Sequence, residues 1–167
     1  MSIAKTLLPE YDHEMSNTRR YLANMPEGKN DWKPHAKSMS LQMLACHLAE
    51  LPGWVASTLA ETELDLAPPD GEPYQTEMLA TREELLEAFD RDVAAGRKAL
   101  EATEDAALMV EWTLLQGGHK IMSMPRVAVL RGFIMNHMIH HRGQLGVYFR
   151  LLDVPVPAVY GPSADES

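Results

Sequence analysis

Residues 136–152, NHMIHHRGQLGVYFRLL, put three histidines on one predicted helix, and the faces they occupy organise the reading of the rest of the chain. An α-helix advances about 100° per residue, so side chains four apart share nearly the same face. With His137 set at zero, Leu130 falls at about 20°, Ile134 at about 60°, Leu145 at about 80° and Tyr148 at about 20°, which defines an apolar stripe. His141 sits inside that stripe at about 40°, His137 lies at its edge, and His140 falls off it at about -60°. The spacing therefore selects His137 and His141 as inward-facing and leaves His140 towards solvent.

Two imidazoles one turn apart on a helix can share a single cation, as zinc-binding helices do. Met138 follows the first histidine, where the zinc-protease pattern carries a glutamate base, so a protease of that kind is excluded. A third ligand has to come from another element. His47 is the candidate, because it shares a helical face with Leu44 and Leu51 and should also point inward. A lone histidine on an apolar face is more often a satisfied core residue than a ligand. Three inward imidazoles on two helices are harder to explain as core, since unpartnered buried polar rings are costly.

Outward from this element, three further segments carry helical periodicity. Leu7, Leu8, Tyr11, Met15, Thr18 and Leu22 recur at three- and four-residue steps and predict a helix from about Ser2 to Asn24. The stretch SLQMLACHLAELPGWVASTLAE aligns Leu44, His47, Leu51, Val55 and Thr58, with Ser38 or Ser40 as N-cap and a kink or break expected at Pro52. A loop follows over LDLAPPDGEPYQ, residues 64–75. The third helix opens near Thr81, where TREE has the form of a capping box, and runs through Leu85, Phe89, Val93 and Leu100 to about Thr103. Between it and the last helix, two short apolar runs flank Gly117–Gly118 and predict a two-stranded ribbon, a short β-hairpin. The last helix opens at Pro125 or Arg126 and ends near Leu152, and the tail PSADES is expected to fray. The fold class is all-α, a single domain over residues 1–167.

The composition narrows the function classes. A net charge of -9 opposes nucleic-acid binding and docking on anionic membranes. No apolar run approaches the roughly 20 residues that span a bilayer, and the N-terminus meets Pro9 and acidic residues too early for a secretory signal. The single cysteine, Cys46, excludes an internal disulfide and suits a reducing compartment, so a cytoplasmic protein is expected. The eleven methionines are read as packing between helices.

The chain resembles the DinB/YfiT-like superfamily of bundle metalloproteins. The resemblance rests on DWKPHAKSMSLQML before His47, HLAELPGW starting at it, and HMIHHRGQL around His141, and it covers nearly the whole chain. It implies a four-helix bundle of up-down-down-up topology, often a homodimer. It also implies a divalent ion, nickel or zinc, on His47, His137 and His141. Three histidines leave a coordination position open, the mark of a catalytic rather than a structural site. Three functions stay open: transfer involving a low-molecular-weight thiol, as the resemblance implies; metal-dependent hydrolysis; and a non-catalytic metal-binding dimer of the stress response.

Neighbouring residues are read more plainly. Gln144, at about -20°, either hydrogen-bonds a ligand ring or contacts backbone. Arg142 points away at about 140° and is read as surface or interface. Glu50 is read as a solvated carboxylate, with a base or ligand-orienting role as the alternative, and Trp54 as core that can also wall a pocket. His13, His35 and His119 are read as surface or loop. Cys46 is read as non-coordinating. Phe149, Met138 and parts of the first helix are expected to be available for a partner surface. No phosphate loop or nucleophile elbow occurs.

Overall fold

The computed structural model describes residues 2–166. Helix α1 (Ile3–Ala23) starts where the Ser2 hydroxyl accepts from the Lys5 amide, and it buries Leu7, Tyr11, Met15, Thr18 and Leu22 at the predicted spacing. Helix α2 (Leu41–Glu50) is capped by Ser40, whose hydroxyl accepts from the Met43 amide. The chain breaks at Leu51–Pro52 and resumes as α3 (Gly53–Ala60), as expected of a residue that has no amide proton to give. Helix α4 (Arg82–Ala102) carries both halves of the capping box between Thr81 and Glu84. It meets the Pro52 break at Gly96, where a Cβ would lie 2.8 Å from the Pro52 carbonyl and 2.6 Å from the Tyr11 hydroxyl. Only a residue without a side chain lets the three elements approach so closely.

A short α5 (Asp105–Leu108) precedes strand β2 (Glu111–Gln116), which pairs antiparallel with β3 (His119–Pro125). Gly117 and Gly118 turn between them with φ of 62° and 76°, a left-handed conformation that side chains disfavour. The predicted ribbon is part of a larger sheet. At the start of the expected loop, β1 (Glu63–Asp65) pairs in parallel with β2, so the sheet has three strands in the order β1-β2-β3. Its strand pattern is too short to stand out from the proline-rich sequence around it. Asp65 anchors the turn: Oδ1 accepts from the Gly117 amide and Oδ2 from the Gly118 amide.

The last helical run begins at α6 (Arg126–Ala128), where predicted, but it is not uniform. Residues Val129–Met135 form a π-helical stretch before α7 (Asn136–Leu151). The widened turns alter the phase assumed for a plain α-helix, yet Leu130 and Ile134 remain buried. The molecule is mostly helical with one small sheet. One apolar cluster collects Tyr11, Leu44, Leu51, Phe89, Leu145 and Phe149 from the long helices. Helices α1 and α2 each pack on both α4 and α7, while α3 packs on α4 and the π stretch. Among the described residues, no helix is long and apolar enough to cross a membrane.

Three expectations are overturned. Met138 and Phe149 are both 0% exposed within the chain, so they are core and offer nothing to a partner. Arg142 is buried rather than superficial. Its guanidinium donates to Glu14 Oε2 at 2.7 Å, to the Glu14 carbonyl and Thr18 hydroxyl at 3.1 Å each, and to the Tyr160 hydroxyl at 2.9 Å. Helical angle alone placed it away from the histidine face, but α1 covers that side too. The tail is held rather than frayed: Asp165 pairs with Arg150 and Glu166 with Arg20, both at 2.7 Å. Its last residue, Ser167, lies outside the described residues.

Two consequences can be measured. Removing one partner of a buried ion pair strands the other charge, so Glu14→Ala should lower unfolding stability by about 3 kcal/mol, read by chemical denaturation. A loss under about 1 kcal/mol would show that water replaces the carboxylate. The Asp65 carboxyl is held below its ordinary pKa of 3.8, chiefly by the Ala67 amide and then by those of Gly118 and Gly117. A carboxyl with a depressed folded pKa stabilises above its unfolded value and loses that contribution as pH falls through the folded one. On acidification the Gly117 and Gly118 amide resonances should therefore move together by NMR, with a midpoint below 3.8.

Candidate metal centre

Helices α2 and α7 bring His47, His137 and His141 together, the set selected by their spacing in the sequence. Their ligand atoms all lie within 4.8 Å of one another. His137 Nε2 stands 3.3 Å from His47 Nε2 and 2.8 Å from His141 Nε2. Two nitrogens bound tetrahedrally to one zinc at about 2.0–2.1 Å would be about 3.3 Å apart, the separation of His47 and His137, and the three rings together could hold one ion.

The outer nitrogens show how two of the rings are oriented. His47 Nδ1 faces Glu50 Oε1 at 2.6 Å, and an ionised carboxylate can only accept, so Nδ1 carries the proton and the Nε2 lone pair faces inward. His141 Nδ1 meets Gln144 Oε1 at 2.8 Å, with the same result. The second Gln144 atom, Nε2, lies 3.0 Å from His140 Nε2. His140 thus stays outside the triad, linked to it by Gln144 and by the edge of its ring against His141, with centroids 5.1 Å apart. His137 Nδ1 is buried without a well-formed hydrogen bond. Burial, followed by the neighbouring His141, His47 and His140, pushes the His137 pKa down to about 4, with a small opposing effect from the Phe133 backbone. Burial also lowers His141, against the hydrogen bond it donates to Gln144 Oε1. Both rings are therefore neutral near pH 7 and free to act as ligands.

Glu50 departs from the expected solvated carboxylate. Oε1 also accepts from the Thr76 hydroxyl at 2.9 Å, and Oε2 accepts from the Tyr74 hydroxyl at 2.9 Å. Tyr74 in turn accepts from the Trp54 indole N–H at 2.9 Å. Trp54 packs on Phe133 and Phe133 on His137, so Trp54 does wall the site. Cys46 is buried and exchanges hydrogen bonds with the Leu79 backbone, away from the triad. His13, His35 and His119 are exposed, as expected.

A family model described as the DinB family covers residues 1–167. The chain belongs to the DinB family. This DinB chain is 24% identical to the uncharacterized protein YrdA of Bacillus subtilis (strain 168) over 164 residues, which cover 95% of this chain and 89% of the relative. Its fold matches the crystal structure of a DinB-like protein from Bacillus cereus ATCC 10987 with a TM-score of 0.72 and 20% identity, over 95% of this chain and 98% of the other. A DinB-like protein of Bacillus subtilis, YjoA, matches with a TM-score of 0.68 and 20% identity, over 92% and 97%. At these identities the structural matches speak for the fold.

Sequence reading located the three histidines but missed Tyr74 and Thr76, which reach the site from a loop with no periodicity. Glu50 was detectable, lying one turn from His47. Groups that orient a ligating histidine tune its grip on the ion. Glu50→Gln should therefore weaken zinc binding about tenfold, and Tyr74→Phe by a smaller factor, measured by competition with a chromogenic chelator. Unchanged affinity in Glu50→Gln would remove the carboxylate from that role.

Proposed function

We propose that this DinB protein holds one divalent ion, nickel or zinc, on His47, His137 and His141 and is a transferase acting with a low-molecular-weight thiol. The observation that carries the reading is the triad itself: three imidazole nitrogens at coordinating separation, two of them oriented by fixed acceptors, beside an open cleft. When bound, such an ion supplies Lewis acidity that lowers the pKa of a thiol or water in its open position. The chain's own part is to keep the ring lone pairs inward through Glu50 and Gln144 and to shield one flank with Trp54 and Phe133. In the transfer, the thiol sulfur forms the new bond to an electrophilic carbon. The leaving group departs with the electrons of the bond that breaks, and the thiol proton passes to solvent. Hydrolysis at the same site, with water in place of the thiol, is the alternative reaction. A non-catalytic metal-binding protein is the alternative to both.

The architecture is read as the up-down-down-up four-helix bundle implied by the resemblance. Residues 61–81 between α3 and α4 support this, since parallel neighbouring helices need a long crossover. Homodimerisation and a cytoplasmic location belong to the same reading. Val147 and Leu151, each 59% exposed one turn apart on α7, offer an apolar strip for a second copy in place of the buried Met138 and Phe149.

Protein purified without a histidine tag should contain about one ion per chain by elemental analysis. Loaded protein should join an electrophile to an added thiol, and His141→Ala should lose that turnover by at least about a hundredfold. Turnover without thiol would favour hydrolysis, and failure to bind metal even after reconstitution would overturn the reading.

A further inference from the structure

The geometry points to a small organic anion, one with a carboxylate or similar group beside its reacting end, as the ligand of the cleft next to His141, with Lys37 as the residue that selects it. This inference rests on the proposed metal site and adds the charge of what binds there. The cleft has a volume of about 440 Å³ and is bounded by His141 and Gln144 on one side and by the loop before α2 on the other. That loop contributes Lys37 and Ser38, while Met39 and Val147 provide apolar wall. Among the described residues, no carboxylate lines the cleft.

The charge distribution is unusual for this chain, which has 24 acidic residues against 15 Lys and Arg. Neither segment that forms the cleft, residues 32–49 and 126–152, contains an Asp or Glu. Most of the positive charge in those segments is already committed. Arg131 pairs with Glu10, Arg142 with Glu14 and Arg150 with Asp165, and Arg126 donates to backbone carbonyls. Glu50, the acidic group nearest the triad, is occupied by His47, Thr76 and Tyr74. Lys37 is exposed and enters no ion pair among the described residues, and it is the one permanent charge on the cleft wall. A cation at the mouth of an acid-free cleft draws in anions and holds them by a charge-assisted hydrogen bond. A ligand anchored there lies beside His141.

The test uses protein loaded with cobalt(II), whose visible absorption reports a thiol entering the metal's coordination. The probes are 3-mercaptopropionate and its neutral isostere 3-mercaptopropionamide. An exposed pairing of this kind corresponds to about a fivefold tighter binding of the acid by the unaltered protein. Lys37→Met should bring the two affinities together, Lys37→Glu should reverse the preference, and added salt should shrink it. Lys37 is on the surface, so both variants should melt at the temperature of the parent. Equal binding of acid and amide by the parent, or a preference that survives in Lys37→Met, overturns this inference alone. No spectral response to either thiol overturns it together with the thiol reading of the site.

Discussion

Imidazole nitrogens 2.8 to 3.3 Å apart can face one another only if one of them carries a proton on that side or a cation fills the shared space. The surrounding structure favours the cation. Glu50 and Gln144 take the outer protons of His47 and His141, which decides the tautomer of each ring. Burial keeps His137 and His141 unprotonated at neutral pH, at a cost in solvation that an isolated histidine on a surface would not meet. An ion in the proposed site would complete an arrangement the protein has already oriented.

The scaffold achieves this with rigid elements and two deliberate irregularities. The break at Pro52 ends α2 just after Glu50, so the carboxylate that orients His47 sits on the last residue of the helix and within reach of the loop carrying Tyr74 and Thr76. The π-helical stretch stops immediately before α7, one residue short of His137. Such widened turns recur at functional sites because they rotate the side chains that follow. Arg142, next to His141, is locked to Glu14 on α1, and the C-terminal tail adds Tyr160 to the same cluster. The helix bearing two of the three rings is therefore fixed along its length by charge pairs as well as by the apolar core.

Electrostatics separates the site from the rest of the molecule. The chain carries a net charge of -9, while the two segments around the cleft, residues 32–49 and 126–152, carry no acidic residue at all. An unpaired lysine beside candidate ligands makes the field near the site less negative than the average of the surface.

The sequence by itself determined the helices, their inward faces and the identity of the triad, because these depend on periodicity within single elements. His140 could be set aside by angle alone, and the turn at Gly117–Gly118 could be read from two residues. What lies across an interface was decided only by the tertiary structure. Arg142 was assigned to the surface because its own helix said nothing about α1 packing over it. Glu50 was assigned to solvent because Tyr74 and Thr76 arrive from a loop whose path no repeat encodes. Strand β1 exists because β2 offers it an edge, not because three residues favour extension strongly enough alone. Local spacing fixes which way a side chain leaves its helix, and only packing decides what it meets there.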